Sequence, residues 1–143
     1  ITIAITFLIN SKLKILRISN FYETPSYPNQ THPKFLNVGI LVNFDKNYNE
    51  LIKKIKFLEK KMGRLTAKNN DPRIIDIDII LFGNTIVNNK KLVIPHPRYS
   101  HRDFVLIPLL EINNKLKDPQ SGQLISVFLD SIQKNKMIEK LDF

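Results

Sequence analysis

The chain has 143 residues and carries 22 Lys and Arg against 13 Asp and Glu, a formal net charge of +9. It contains no cysteine, which excludes a disulfide scaffold and thiolate metal sites and fits a reducing compartment. Hydrophobic residues at 43% and charged residues at 24% suit one soluble globular domain, residues 1–143, with a substantial core. The positive charge suits a polyanion such as a nucleotide. The lysines are nonetheless spread along the chain rather than gathered in a tail, as an A/T-rich coding sequence would also produce.

Residues 1–10 are mostly apolar and read as a helix or a buried strand. They are too few to span a bilayer and lack the basic leader and small-residue cleavage site of a secretory signal. A cytoplasmic protein without membrane contact is expected. The first residue is Ile rather than Met, which suggests a truncated or processed form. Residues 13–22 alternate as a strand, 24–33 form a Pro-rich loop, and 35–44 form a second strand rich in Val, Leu and Ile. Residues 47–62 are the clearest helix. Asn47 can cap it with Glu50 three residues on, Leu51, Ile55, Leu58 and Met62 make its apolar stripe, and Gly63 is placed to stop it. Residues 64–73 are a polar loop and 74–82 a strand. Turn signals at Gly83-Asn84 and Asn88-Asn89 set off a small hairpin of 85–87 and 92–94. A loop over 95–100 precedes helices at 102–112 and 123–133. Without regular β-α-β alternation, this order predicts an α+β sandwich, with helices on one face of a mainly antiparallel sheet.

The strand over 74–82 holds the most informative pattern. Asp76 and Asp78 lie two apart among β-branched residues, so in a strand both carboxylates project to one face while Ile77, Ile79 and Leu81 face a core. Like charges side by side are unfavourable, and a cation removes that cost. Mg²⁺ prefers one or two carboxylates completed by water and substrate phosphates. The same alternation also suits a half-buried strand whose outer face carries two solvated aspartates.

Arg64, Arg73, Arg98 and Arg102 stand out where most cations are Lys, because the guanidinium fork grips phosphate bidentately. His96 is held between Pro95 and Pro97. No Walker A loop, dinucleotide fingerprint or zinc-ligand spacing occurs, so any nucleotide would be held by side chains and metals.

Three blocks together resemble the 6-hydroxymethyl-7,8-dihydropterin pyrophosphokinase family. They are Ser19-Asn20-Phe21-Tyr22-Glu23-Thr24-Pro25 with Phe35-Leu36-Asn37; the run Asp71-Pro72-Arg73-Ile74-Ile75-Asp76-Ile77-Asp78-Ile79-Ile80-Leu81-Phe82-Gly83; and Leu92-Val93-Ile94-Pro95-His96-Pro97-Arg98 with the segment from Arg102 to Ile112. The resemblance implies a ferredoxin-like α+β fold and transfer of pyrophosphate from ATP to a pterin alcohol, 6-hydroxymethyl-7,8-dihydropterin, in folate biosynthesis. It assigns two Mg²⁺ ions to Asp76 and Asp78. Arg64 and Arg73 are assigned to the ATP phosphates and the transfer, and His96 and Arg102 to ATP. Thr24, Pro25 and Tyr27 would frame the pterin, Asn37 hydrogen-bond it, and Phe35 and Phe104 lie near it, Phe104 stacking on the ring. Both Phe residues also suit plain core packing.

The family's first strand, ending in Gly-Ser-Asn, has no counterpart, so an N-terminally truncated domain is expected. Thr66 and Asn70 stand where an Arg and an aromatic residue are usual. A monomer using small-molecule substrates is expected, without nucleic acid. A non-catalytic relative of the fold that binds a nucleotide or a partner is the alternative. A basic nucleic-acid module would show an RNA-binding signature that is absent here.

Overall fold

The computed structural model describes residues 6, 8–9, 13–25, 34–62, 75–132 and 139–141. In chain order the elements are β1 (Lys14–Ile18), β2 (Tyr22–Thr24), β3 (Phe35–Asn37), β4 (Ile40–Asn43), α1 (Tyr48–Lys61), β5 (Val87–Asn89), β6 (Leu92–Ile94), a 3-10 turn (Tyr99–His101), α2 (Asp103–Ile112), α3 (Ile125–Ser131) and β7 (Glu139–Lys140). β2 pairs antiparallel with β3 and with β7, β5 and β6 form an antiparallel hairpin, and β1 pairs with β4. Helices with antiparallel sheets, plus the small hairpin, are the α+β fold expected for a ferredoxin-like sandwich. The chain divides into two compact units, Ile1–Leu16 with Val42–Asp78 and Arg17–Leu41 with Ile79–Phe143.

The first unit is organised by α1. The Asn47 side chain accepts the Glu50 N–H at 3.1 Å, satisfying one of the free amides of the first turn. Lys60 and Lys61 in the last turn complement the helix dipole. Leu51, Ile55 and Leu58 are buried, each contributing about 1.5–3 kcal/mol of apolar burial. Lys53, Lys56, Lys60 and Lys61 are exposed. Thr6, Leu8 and Ile9 are helical, which decides between the two forms open for residues 1–10 in favour of helix at those positions.

The expected strand over 74–82 is corrected. None of residues 75–82 belongs to a strand, although exposure still alternates: Asp76 and Asp78 are exposed and Ile75, Ile77 and Ile79 half-buried. Backbone groups of this segment find partners outside a ladder. The Ile77 N–H donates to Glu59 Oε1 at 2.9 Å, and the Ile80 carbonyl accepts the His96 N–H at 3.0 Å.

Each of the two long strands expected at 13–22 and 35–44 is broken into two, and both breaks fall within the second unit. The breaks face each other at Ser19 and Gly39. The Ser19 N–H donates to the Gly39 carbonyl at 2.9 Å, and the Gly39 N–H donates to Ser19 Oγ at 2.8 Å. A Cβ at Gly39 would lie 2.8 Å from Ile112 Cδ1 and 3.1 Å from Pro108 Cβ, so glycine lets this backbone approach α2. Pro108 sits inside α2, where it removes one helical hydrogen bond. The helix continues because Leu106, Pro108 and Ile112 are buried. Leu106, Ile125 and Tyr99 centre the core, and Phe128 meets the Tyr99 ring edge-on at 6.0 Å.

The hairpin turn falls two residues later than expected, at Lys90-Lys91. Asn89 Oδ1 accepts the N–H groups of Lys91 and Leu92, so Asn89 closes the turn as the last residue of β5 rather than occupying its tip. β7 was not expected.

The Tyr99 hydroxyl donates to Asp118 Oδ1 at 2.6 Å, and the Ser121 N–H donates to Oδ2 at 2.7 Å. Burial works to raise the Asp118 carboxyl, but the bonds from Tyr99 and Ser121 outweigh it, and the group lies below its ordinary value. A depressed carboxylate stabilises the fold above its unfolded value, and that contribution is lost as pH falls through the folded value. Tyr99→Phe is therefore expected to destabilise by about 1.5–3 kcal/mol near neutrality. The difference from the parent should shrink in acid below the aspartate range, as read by urea midpoints across pH. Asn47→Ala should cost about 1 kcal/mol with an unchanged denaturant slope in urea unfolding.

Candidate functional site

The candidate residues fall in both units. In the first, Asp76 and Asp78 are exposed, two positions apart, on a segment whose intervening residue is tied to α1. The pair offers only hard oxygen donors. Among the described residues no group of three or more His, Asp or Glu gathers to hold a metal ion. Exposed carboxylates are the class of donor that a hard cation such as Mg²⁺ takes. Arg64 and Arg73 lie outside the described residues.

In the second unit, β2 and β3 bring three of the expected residues together. The antiparallel register sets Thr24 opposite Phe35 and Tyr22 opposite Asn37. Asn37 Nδ2 donates to Thr24 Oγ1 at 3.0 Å and to the Tyr22 carbonyl at 3.4 Å, which fixes the orientation of the amide. Phe35 is 46% exposed, so core packing does not account for it. Pro25 is half-buried beside them, and Tyr27 lies outside the described residues.

His96 and Arg102 flank the 3-10 turn. His96 Nδ1 accepts the Arg98 N–H at 3.2 Å, which sets the orientation of the imidazole. The Arg102 guanidinium lies over the Phe104 ring, 5.5 Å from its centroid, so these two residues come together at the start of α2. Asp103 Oδ1 accepts the Phe104 N–H at 2.8 Å and ties that turn.

Two carboxylates with structural work in these segments were not singled out from sequence. Glu59 is buried at 2% exposure and holds the Ile77 amide. It falls four residues after Ile55 and eight after Leu51, on the apolar stripe of α1, and a charge on that stripe was the available signal. Glu111 gathers three donors from the β2 approach. The Asn20 N–H reaches Oε2 at 3.0 Å, the Tyr22 hydroxyl reaches Oε2 at 2.9 Å, and Asn20 Nδ2 bonds Oε1. Nothing local in the sequence marked it, because its partners lie about ninety residues away in the chain.

Burial, then the bond to Glu111 and its charge, push the Tyr22 hydroxyl up from 10.0 to about 12. A raised group stabilises the fold fully below its unfolded value of 10.0 and loses that contribution as pH rises through about 12. The phenolate absorbance assigned to Tyr22 by difference with Tyr22→Phe is expected to titrate near that upper value. In Glu111→Gln it should titrate lower, yet still above the ordinary value, because burial persists.

Among the described residues, no helix is long and apolar enough to cross a membrane. Residues 1–114 match the family model for 7,8-dihydro-6-hydroxymethylpterin-pyrophosphokinase. A 2-amino-4-hydroxy-6-hydroxymethyldihydropteridine pyrophosphokinase of Haemophilus influenzae is 32% identical over 129 residues, covering 90% of this chain and 80% of that protein. One of Aquifex aeolicus is 37% identical over 107 residues, covering 75% and 67%. A folic acid synthesis protein of Pneumocystis carinii is 35% identical over 120 residues, covering 84% of this chain but 16% of that much longer protein. The chain belongs to the 7,8-dihydro-6-hydroxymethylpterin-pyrophosphokinase family.

Proposed function

We propose that the chain transfers pyrophosphate from ATP to 6-hydroxymethyl-7,8-dihydropterin and releases AMP, supplying an activated pterin to folate biosynthesis. The observation that carries this reading is the exposed Asp76/Asp78 pair in a chain of this family. Bound Mg²⁺ would supply charge neutralisation on the transferring phosphates.

The remaining work is assigned to the chain's own residues. Asp76 and Asp78 hold the cations, and Arg64, Arg73, His96 and Arg102 bind and align the triphosphate. Asn37, oriented by Thr24, presents its amide to the pterin ring. Phe104 and Phe35 offer aromatic surface for a flat heterocycle, with Pro25 and Tyr27 framing it. The hydroxymethyl oxygen forms a bond to the β-phosphorus as the bond from that phosphorus to the α,β-bridging oxygen breaks. AMP carries that oxygen away, and the hydroxyl proton is released, with no side chain assigned as its base.

Positioning and charge stabilisation account for the acceleration, so loss of one carboxylate should be severe. Asp78→Ala is expected to lower AMP release by about 100-fold or more. Its thermal midpoint should stay close to the parent's, because the side chain is exposed. AMP release from ATP and the pterin alcohol, followed by chromatography, is the direct test. Full activity in Asp78→Ala removes the metal assignment. ATP binding by the parent chain with no AMP released would instead mark a non-catalytic relative.

A further inference from the structure

We propose that Glu59 is a positioning residue for the acidic pair: its buried carboxylate pins the peptide between Asp76 and Asp78 and so sets the direction in which both are presented to a divalent cation. The inference rests on the reading of that pair as the cation-holding group.

The placement of Glu59 is costly unless it serves a purpose. The residue is 2% exposed on a helix face shared with Leu51, Ile55 and Leu58, and a carboxylate there must be hydrogen-bonded to be tolerated. One of its bonds goes to the amide of Ile77, the residue that separates the two aspartates, at 2.9 Å. Residues 75–82 are in no strand, so this segment has no sheet ladder to hold it. The anchor itself stands on a rigid element, a 14-residue helix capped by Asn47 and closed by the Met62 N–H on the Leu58 carbonyl at 3.0 Å. Fixing the peptide of Ile77 fixes the Cα positions on both sides of it. A rotation there would swing the two carboxylates apart, and a cation shared with a phosphate chain tolerates little such error.

Two variants of the whole chain separate the hydrogen bond from the charge and from packing. Glu59→Leu keeps the volume and removes the acceptor, whereas Glu59→Gln keeps an oxygen acceptor without the charge. Three readouts apply: hydrogen exchange of the Ile77 amide by NMR without ligand, titration with Mn²⁺ and a non-hydrolysable ATP analogue, and steady-state AMP release. In Glu59→Leu, Ile77 exchange should accelerate, Mn²⁺ affinity should fall by about 10- to 100-fold, and kcat should fall with little change in the pterin KM. Glu59→Gln should remain within about threefold of the parent in all three. Parental Ile77 protection or parental Mn²⁺ affinity in Glu59→Leu overturns the proposal, and so does damage in Glu59→Gln equal to that in Glu59→Leu. If Glu59→Leu does not fold, Glu59→Gln decides. Retained Ile77 protection with retained Mn²⁺ affinity supports the role, and loss of either overturns it. A parent chain that releases no AMP defeats the functional reading, while the exchange and Mn²⁺ measurements still judge Glu59. A parent chain that binds no Mn²⁺ defeats both.

Discussion

A backbone amide that leaves a hydrogen-bonded ladder must find another acceptor, and in this chain side-chain oxygens meet that demand repeatedly. Glu59 takes the amide of Ile77, Glu111 that of Asn20, Asp103 that of Phe104, Asp118 that of Ser121, and Ser19 that of Gly39. Short strands of three to five residues leave much backbone outside the sheets. The segment carrying Asp76 and Asp78 is among those freed. It is returned to a defined place by its bond to Glu59, and all four of the carboxylates named above lie on helices or are buried.

This arrangement explains why polar residues are found where apolar ones would pack more cheaply. Glu111 satisfies three donors and so orders the entry to β2, the strand whose far end carries Thr24. Asn37 then reads that order through Thr24 Oγ1 and the Tyr22 carbonyl. Alignment of a candidate pterin-binding amide thus descends from a glutamate at the end of α2. The chain of contacts lies wholly within the second unit, as the bond from Glu59 to Ile77 lies wholly within the first.

Local signals made a large part of the fold legible. The Asn47 cap, the Leu51-Ile55-Leu58 stripe, the hairpin and the helices near 103–112 and 125–131 follow from periodicity and turn chemistry, which act over a few residues. Breaks in the long strands were not legible, because they depend on Ser19 meeting Gly39 and on Gly39 lying against Pro108 and Ile112. Strand propensity over residues 75–82 was overridden for a similar reason: the Glu59 carboxylate takes the Ile77 amide that a ladder would use. At the candidate site, the alternation of Asp76 and Asp78 was readable from residue types and spacing, whereas Thr24, expected in a loop, closes β2 opposite Phe35. The supporting glutamates were not, since each acts on a segment remote in sequence.

One face of α1 bears Lys53, Lys56, Lys60 and Lys61, all open to water. Such a concentration of cations gives the first unit a field that draws polyanions in by diffusion before any contact forms. Capture of a nucleotide should then be fastest in dilute buffer and slow as added electrolyte shortens the reach of that field.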